Sequence, residues 1–148
     1  MRIRKIKKSD LKYCAKLLKK SYSKSPYNEK FVSKNHLKYI ESKYKIAKEN
    51  SFVLEMDRKV KGFIFVTLSY WANGPQAIME EIVLDESLRG QGYSQKLNNY
   101  LENHLKSKGV KSIMLWVKKG SPAHKFHLKN KYKDANDLTV MFKQLKKR

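Results

Sequence analysis

Arg89-Gly90-Gln91-Gly92-Tyr93-Ser94 stands between an apolar run of β character and a run with helical spacing. The first turn of a helix has backbone N–H groups without intrahelical partners and carries about half a positive charge, so phosphate binds well there. Glycine lets the main chain approach phosphate oxygens with no Cβ in the way. Three phosphate-binding patterns compete for this loop. A Walker A loop needs Gly-x-x-x-x-Gly-Lys-Ser/Thr, which the chain lacks. A dinucleotide fingerprint needs a third glycine where Gln95 stands, and belongs early in a parallel βαβ unit. The third pattern is Arg/Gln-x-x-Gly-x-Gly/Ala after a strand and an acidic turn, and the segment matches it with Ser94 as the last small residue. An ordinary strand-to-helix turn with two glycines is the alternative.

Glu80 and Glu81 are the second candidates for chemistry, two carboxylates in the middle of a run that otherwise reads as buried strand. Strand alternation sends them to opposite faces, so that one faces a groove; the alternative is that both pair with lysines. The remaining reactive side chains point to less. His36, His104 and His124 have no spacing typical of a metal site. Cys14 sits on an apolar helix face and reads as core. Trp71 and Trp116 read as packing residues, although Tyr70-Trp71 could wall a binding site.

These residues need a scaffold. Residues 2–6 form a first short strand, and Ser9 or Asp10 caps a helix whose stripe is Leu11, Cys14, Ala15, Leu18 and Tyr22. Ser25-Pro26-Tyr27-Asn28 breaks it, and a second helix follows with Leu37, Ile40, Tyr44 and Ala47 on one face. Phe52 to Met56 and Val60 to Tyr70 flank the hairpin turn Asp57-Arg58-Lys59, and Asn73-Gly74-Pro75 turns the chain into a strand over Ala77 to Leu84. Gln91 to Lys108 carries a helical stripe ending at the cap residue Gly109. Ile113 to Val117 is a short buried strand, Ser121-Pro122 starts a helix, and Leu138 to Leu145 is a closing strand. The order β-α-α-β-β-β-α-β-α-β, with room for a short extra strand near Lys133, is that of a mixed α/β domain with a largely antiparallel sheet.

With these segments in place the chain resembles the GNAT superfamily of N-acetyltransferases over nearly its whole length. The loop Arg89–Ser94 is similar to that family's acetyl-CoA signature. Ile78–Glu86 resembles its fourth strand and the turn after it, with Glu86 where proline is frequent. Ile113–Val117 resembles the fifth strand, Ala123–Tyr132 the next helix, and Thr139–Leu145 the closing strand. The resemblance implies an α+β fold whose central sheet splays between strands four and five. It implies that the backbone N–H groups of Gln91, Gly92, Tyr93 and Ser94 face the pyrophosphate, with Gly90 in the turn and Arg89 beside them. Main-chain groups around Val83 and Leu84 would bond the pantetheine. Gly120 replaces a frequent Asn, Lys131 the usual Gly before the final aromatic Tyr132, and His127 the Tyr that often protonates the thiolate.

The implied reaction moves an acetyl group from acetyl-CoA to a primary amine by direct attack in a ternary complex. An alkyl ammonium has a pKa of about 10.4, so a carboxylate must take its proton at neutral pH. Glu80, nine residues before Arg89, holds the position of the base in some small-amine members, and Glu81 is the second choice for base or anchor. The thiolate regains a proton, for which His127 is the candidate by position; imidazole has an ordinary pKa of about 6.5. No metal is implied. The cluster Glu80, Glu81, Asp85 and Glu86 hints at a cationic acceptor, whether a small amine, a polyamine or aminoglycoside, or a protein amine.

Composition sets the outer bounds. The 148 residues are expected to form a single domain over 1–148, with 41% hydrophobic content fit for a globular core. No apolar run is long enough to span a bilayer. Met1–Lys8 is basic without a following apolar stretch, which does not read as a signal peptide, and one cysteine allows no internal disulfide. The cytoplasm is the default location and a monomer or homodimer the default state. The net charge of +21 lies in both end segments: residues 1–50 hold 16 basic and 4 acidic side chains, residues 101–148 hold 13 and 3, and the middle fifty hold 5 and 6. Such a surface attracts polyanions. Solvated lysine-rich helix faces are the alternative to an anionic partner. The charge admits one rival to the enzyme, a basic RNA- or ribosome-associated protein, for which no nucleic-acid motif is present. The departures at Gly120 and His127 admit a second, a GNAT-fold sensor that binds CoA without turnover.

Overall fold

Asp57 and Arg58 both take positive φ (49° and 61°), the geometry of a tight hairpin turn, and so pair strand β2 (Phe52–Met56) with β3 (Lys59–Trp71). A second hairpin leads into β4 (Gly74–Leu84). With β1 (Arg2–Lys5) and β5 (Ser112–Leu115) the sheet order is β1-β2-β3-β4-β5. The first four strands are antiparallel and β4–β5 is parallel. A parallel neighbour requires a crossover, which the long helix α3 (Tyr93–Ser107) supplies. This is the mixed, mostly antiparallel α/β architecture expected. The computed structural model describes residues 1–146, whose contacts divide into two compact units, Met1–Trp116 and the described residues from Val117 onward.

The first unit contains the whole sheet. Val53, Phe63, Phe65 and Val83 point to one face, where they bury against Leu11, Cys14, Ala15 and Leu18 of α1 (Leu11–Tyr22) and Ile40 of α2 (Asn35–Ala47). On β2 the neighbouring Phe52 points to the other face, its ring 5.0 Å from Tyr100 and 4.9 Å from His104 of α3. Alternation thus gives the sheet two covered faces. Cys14 is fully buried and its thiol pKa is pushed up by burial, consistent with core. Gly109 ends α3 at φ 73°, with Val110 N–H donating to Leu105 C=O.

Asp10 departs from expectation. It precedes α1 but makes no side-chain cap on it. Its carboxylate accepts from the Lys7 N–H at 2.8 Å across a single 3-10 turn, and from both terminal guanidinium nitrogens of Arg4 at 2.8 and 2.9 Å. Arg4 also donates to Glu55 at 2.7 and 2.9 Å. A guanidinium at fork geometry outcompetes helix N–H groups for a nearby carboxylate.

The second unit holds α4 (Pro122–Lys129), capped as expected by Ser121, whose Oγ accepts the His124 N–H at 3.1 Å. The expected closing strand over Leu138 to Leu145 is not formed, nor is a strand near Lys133. Leu138, Val140, Met141, Phe142 and Leu145 are exposed. An alternating apolar pattern becomes a strand only where a neighbour takes up its N–H and C=O groups, and no described strand pairs with this one. Among the described residues no helix is long and apolar enough to cross a membrane.

Candidate functional site

The register of β3 on β4 slips once. Glu81 pairs with Phe65, but the next rung joins Val66 to Met79, leaving Glu80 as an extra residue in β4. Such a bulge breaks alternation and re-aims the side chains beside it. The two glutamates therefore do not go to opposite faces, as simple alternation predicts. Both turn toward α2: Glu80 bonds Lys43, and Glu81 bonds Tyr39 one helical turn away. The slip also marks where β4 and β5 part. Their last pair is Met79–Leu115, and β4 runs on through Glu80 to Leu84 without a β5 partner among the described residues. The expected splay between the fourth and fifth strands thus begins at Glu80.

Glu80 accepts Lys43 Nζ at 2.9 Å and Thr67 Oγ1 at 3.0 Å, with a side chain 12% exposed. Glu81 accepts the hydroxyls of Tyr22 at 2.9 Å and Tyr39 at 2.7 Å, one on each oxygen. Burial raises the Glu81 pKa, and the two tyrosine hydrogen bonds oppose that rise without cancelling it. The tyrosines themselves are pushed upward by burial and by the facing Glu81, so both remain donors at any physiological pH. Asp85 and Glu86 are also engaged. Asp85 accepts the Ser87 hydroxyl and N–H at 2.6 and 2.9 Å. Glu86 pairs with Lys20 at 2.7 Å and with Lys24, and these hydrogen bonds lower its pKa to about 2. The acidic concentration in the sequence is therefore not a bare acidic patch.

The glycine loop leads directly into α3. Gly90 and Gly92 have φ of 71° and 78°, left-handed values that disfavour a side chain, and Gly92 is the N-cap residue with no side-chain cap. A Cβ at either glycine would meet nothing within 4 Å, so the loop's outer side is open to an approaching ligand. The helix start presents Tyr93 and Ser94, while Gln91 folds back to donate to Ser87 C=O at 2.7 Å. Arg89 lines a shallow cleft with Leu17, Ser21 and Leu84. Val83 and Leu84 lie on the stretch of β4 that has no β5 neighbour. An open strand edge running into an uncapped helix N-terminus suits an extended molecule ending in a pyrophosphate.

In the second unit His127 is 3% exposed, flanked edge-on by Phe126 and Tyr132, with Nδ1 lacking a hydrogen-bond partner among the described residues. Burial, and secondarily His124, lower its pKa, so at neutral pH the ring is uncharged. His124 accepts the Gly120 N–H at Nδ1 (2.9 Å), which puts its proton on Nε2, 2.7 Å from Asp134. Gly120 sits at φ 78° and Lys131 at φ 66°. The first is a conformation that Gly and Asn share, while Lys131 bears the strain that the usual glycine avoids.

Tyr39, Lys43 and Thr67 carry the environment of the glutamates and were not singled out from sequence. Tyr22 was counted as an apolar stripe residue; its hydroxyl on a buried face was the available signal, because a buried tyrosine normally finds a partner. Tyr70 and Trp71 stand at the hairpin tip, 77% and 80% exposed, four and five residues of strand or about 14 and 17 Å beyond Val66, and do not wall this site. No group of three His, Cys, Asp or Glu side chains that could hold a metal is found among the described residues.

Solved structures share this fold. A possible acetyltransferase of Clostridium difficile 630 superposes with a TM-score of 0.83 at 18% identity, over 98% of each chain. Aminoglycoside N-acetyltransferase AAC(6')-Iy in complex with CoA gives 0.72 at 19%, over 97% of this chain and 95% of that one. The aminoglycoside acetyltransferase meta-AAC0020 from an uncultured soil metagenomic sample, in complex with sisomicin, gives 0.69 at 18%, over 99% and 96%. A sequence search among curated proteins finds no match. The profile of the acetyltransferase (GNAT) family matches residues 13–132, spanning both units, and with that match over most of its length the chain belongs to the acetyltransferase (GNAT) family.

Proposed function

We propose that the protein is an acetyl-CoA-dependent N-acetyltransferase, one functional domain over residues 1–148, acting on a cationic primary amine. The observation that carries this is the bulge at Glu80. It delivers two carboxylates to one face at the point where β4 loses its β5 neighbour, so that a base and an open edge for the acyl donor share one place. Acetyl-CoA is assigned to that edge with its pyrophosphate at Gln91, Gly92, Tyr93 and Ser94 and with Arg89 alongside; the open, uncapped start of α3 supports the assignment.

Glu80 is the general base. Its carboxylate already binds an ammonium, that of Lys43, at 2.9 Å. Taking up the acceptor's proton lets the free amine attack the thioester carbonyl. Glu81, held by two tyrosines, positions the bulge and stays uncommitted to the proton transfer. His127 holds its role only by its place in the motif. A ring that is neutral at pH 7 suits thiolate protonation poorly, and the thiol's pKa of about 8.5 makes water a sufficient source. Structural relatives that act on aminoglycosides make polycationic amines the first acceptors to test.

The experiment is thiol release from acetyl-CoA against a panel of polyamines, aminoglycosides and lysyl peptides, with calorimetry of CoA binding. Turnover with a cationic amine is expected. CoA binding without turnover on any amine would establish the sensor instead, and a folded protein with no affinity for CoA would end the enzymatic reading.

A further inference from the structure

Lys43 projects from α2 to the stretch of β4 where β5 has ended. Its Nζ lies 2.9 Å from Glu80 Oε2 and 5.5 Å from the centroid of the Tyr39 ring. Tyr39 is itself fixed by donating to Glu81. The Lys43 side chain is 22% exposed, against 53% for the paired surface lysines Lys20 and Lys24. A carboxylate on one side and an aromatic face on the other are what a site for a cationic amine provides. This protein already places one of its own amines there.

We propose that Lys43 is an internal acetyl acceptor, acetylated on its side-chain nitrogen by acetyl-CoA bound to the same molecule. The proposal rests on the acetyltransferase reading of this site. The ammonium gives one proton to Glu80 and onward to water. The freed nitrogen attacks the thioester carbonyl carbon, so that the N–C bond forms and the C–S bond breaks. The second proton lost by nitrogen ends on the departing sulfur as CoA thiol. The product is a neutral amide, and Glu80 Oε2 is left free for an external ammonium.

The test compares two acetyl donors on the folded full-length protein by intact mass and peptide mapping. With acetyl-CoA, one acetyl group is expected on Lys43 ahead of all other lysines, at a rate unchanged by dilution. With acetic anhydride, a reagent that needs no site, the exposed lysines should react first and Lys43 late. Lys43→Arg keeps the charge and abolishes the single addition; Glu80→Gln slows it at least about tenfold. Turnover of external amines with Lys43 unmodified would overturn the proposal and leave the enzyme standing. Acetylation spread over exposed lysines, or a Lys43 rate that falls with dilution, would also overturn it. Absence of CoA binding would remove both.

Discussion

Near one edge of the sheet Asp10 and Glu55 share the guanidinium of Arg4; near the other Glu80 and Glu81 meet an ammonium and three hydroxyls. Both clusters are largely shielded from water, with side chains 6% exposed at Asp10 and 12% at Glu80. Their chemistry diverges because the partners differ. Burial alone would raise the Asp10 pKa, but Arg4 and the Lys7 N–H outweigh it and hold the carboxyl below its ordinary value. Glu81 has only neutral hydroxyls on its oxygens, so burial wins and its pKa rises. A planar, permanently charged guanidinium locks a carboxylate into structure. With a hydroxyl and one ammonium in place of a guanidinium, Glu80 is left able to exchange its partner and take up a proton.

That contrast breaks most visibly at Glu80. Glu80→Gln, which keeps the size and shape of the side chain, is expected to lower kcat by about 10²- to 10⁴-fold in the thiol-release assay while the protein still folds. Unchanged kcat would make the second cluster structural too. Next in size, Asp10→Ala should cost about 1–3 kcal/mol in urea unfolding, because it removes two charge-assisted hydrogen bonds and leaves Arg4 to Glu55 alone, and leave kcat of the folded enzyme as it was. Equal stability in the variant would show that the first cluster is not a lock.

The smallest effect sharpens the contrast through pH. Asp10 has a depressed folded pKa, so its contribution is present above its ordinary value of 3.8 and is lost as pH falls through the folded value. Glu81 has a raised folded pKa, so its contribution is present below its ordinary value of 4.5 and is lost as pH rises through the folded value. Urea midpoints measured from pH 3 upward should therefore lose their decline above pH 4.5 in Glu81→Gln, and keep it in Asp10→Ala. A profile for Glu81→Gln that matches the wild type would remove the titration assigned to that carboxylate.

The glycine loop was readable in advance because its requirements are local. Positive φ at Gly90 and Gly92 and the start of α3 depend on a few consecutive residues. The facing of Glu80 and Glu81 was not readable, because a bulge is an event of pairing between two strands and leaves no mark within β4 alone. Asp10 was misplaced for a similar reason: it looked like a cap, and a strand residue, Arg4, claimed it. The run Leu138–Leu145 has strand chemistry throughout and still forms no strand.

Residue order by itself determined the element sequence from β1 to α4, the phosphate-type loop before α3 and the presence of two carboxylates in β4, since each follows from local periodicity and backbone preference. The face those carboxylates share, the tyrosines and lysine that hold them, and the fate of the last apolar run were decided only by tertiary structure. Hydrogen-bond register and burial are properties of what lies opposite a residue, and nothing in the residue's own neighbourhood along the chain specifies that.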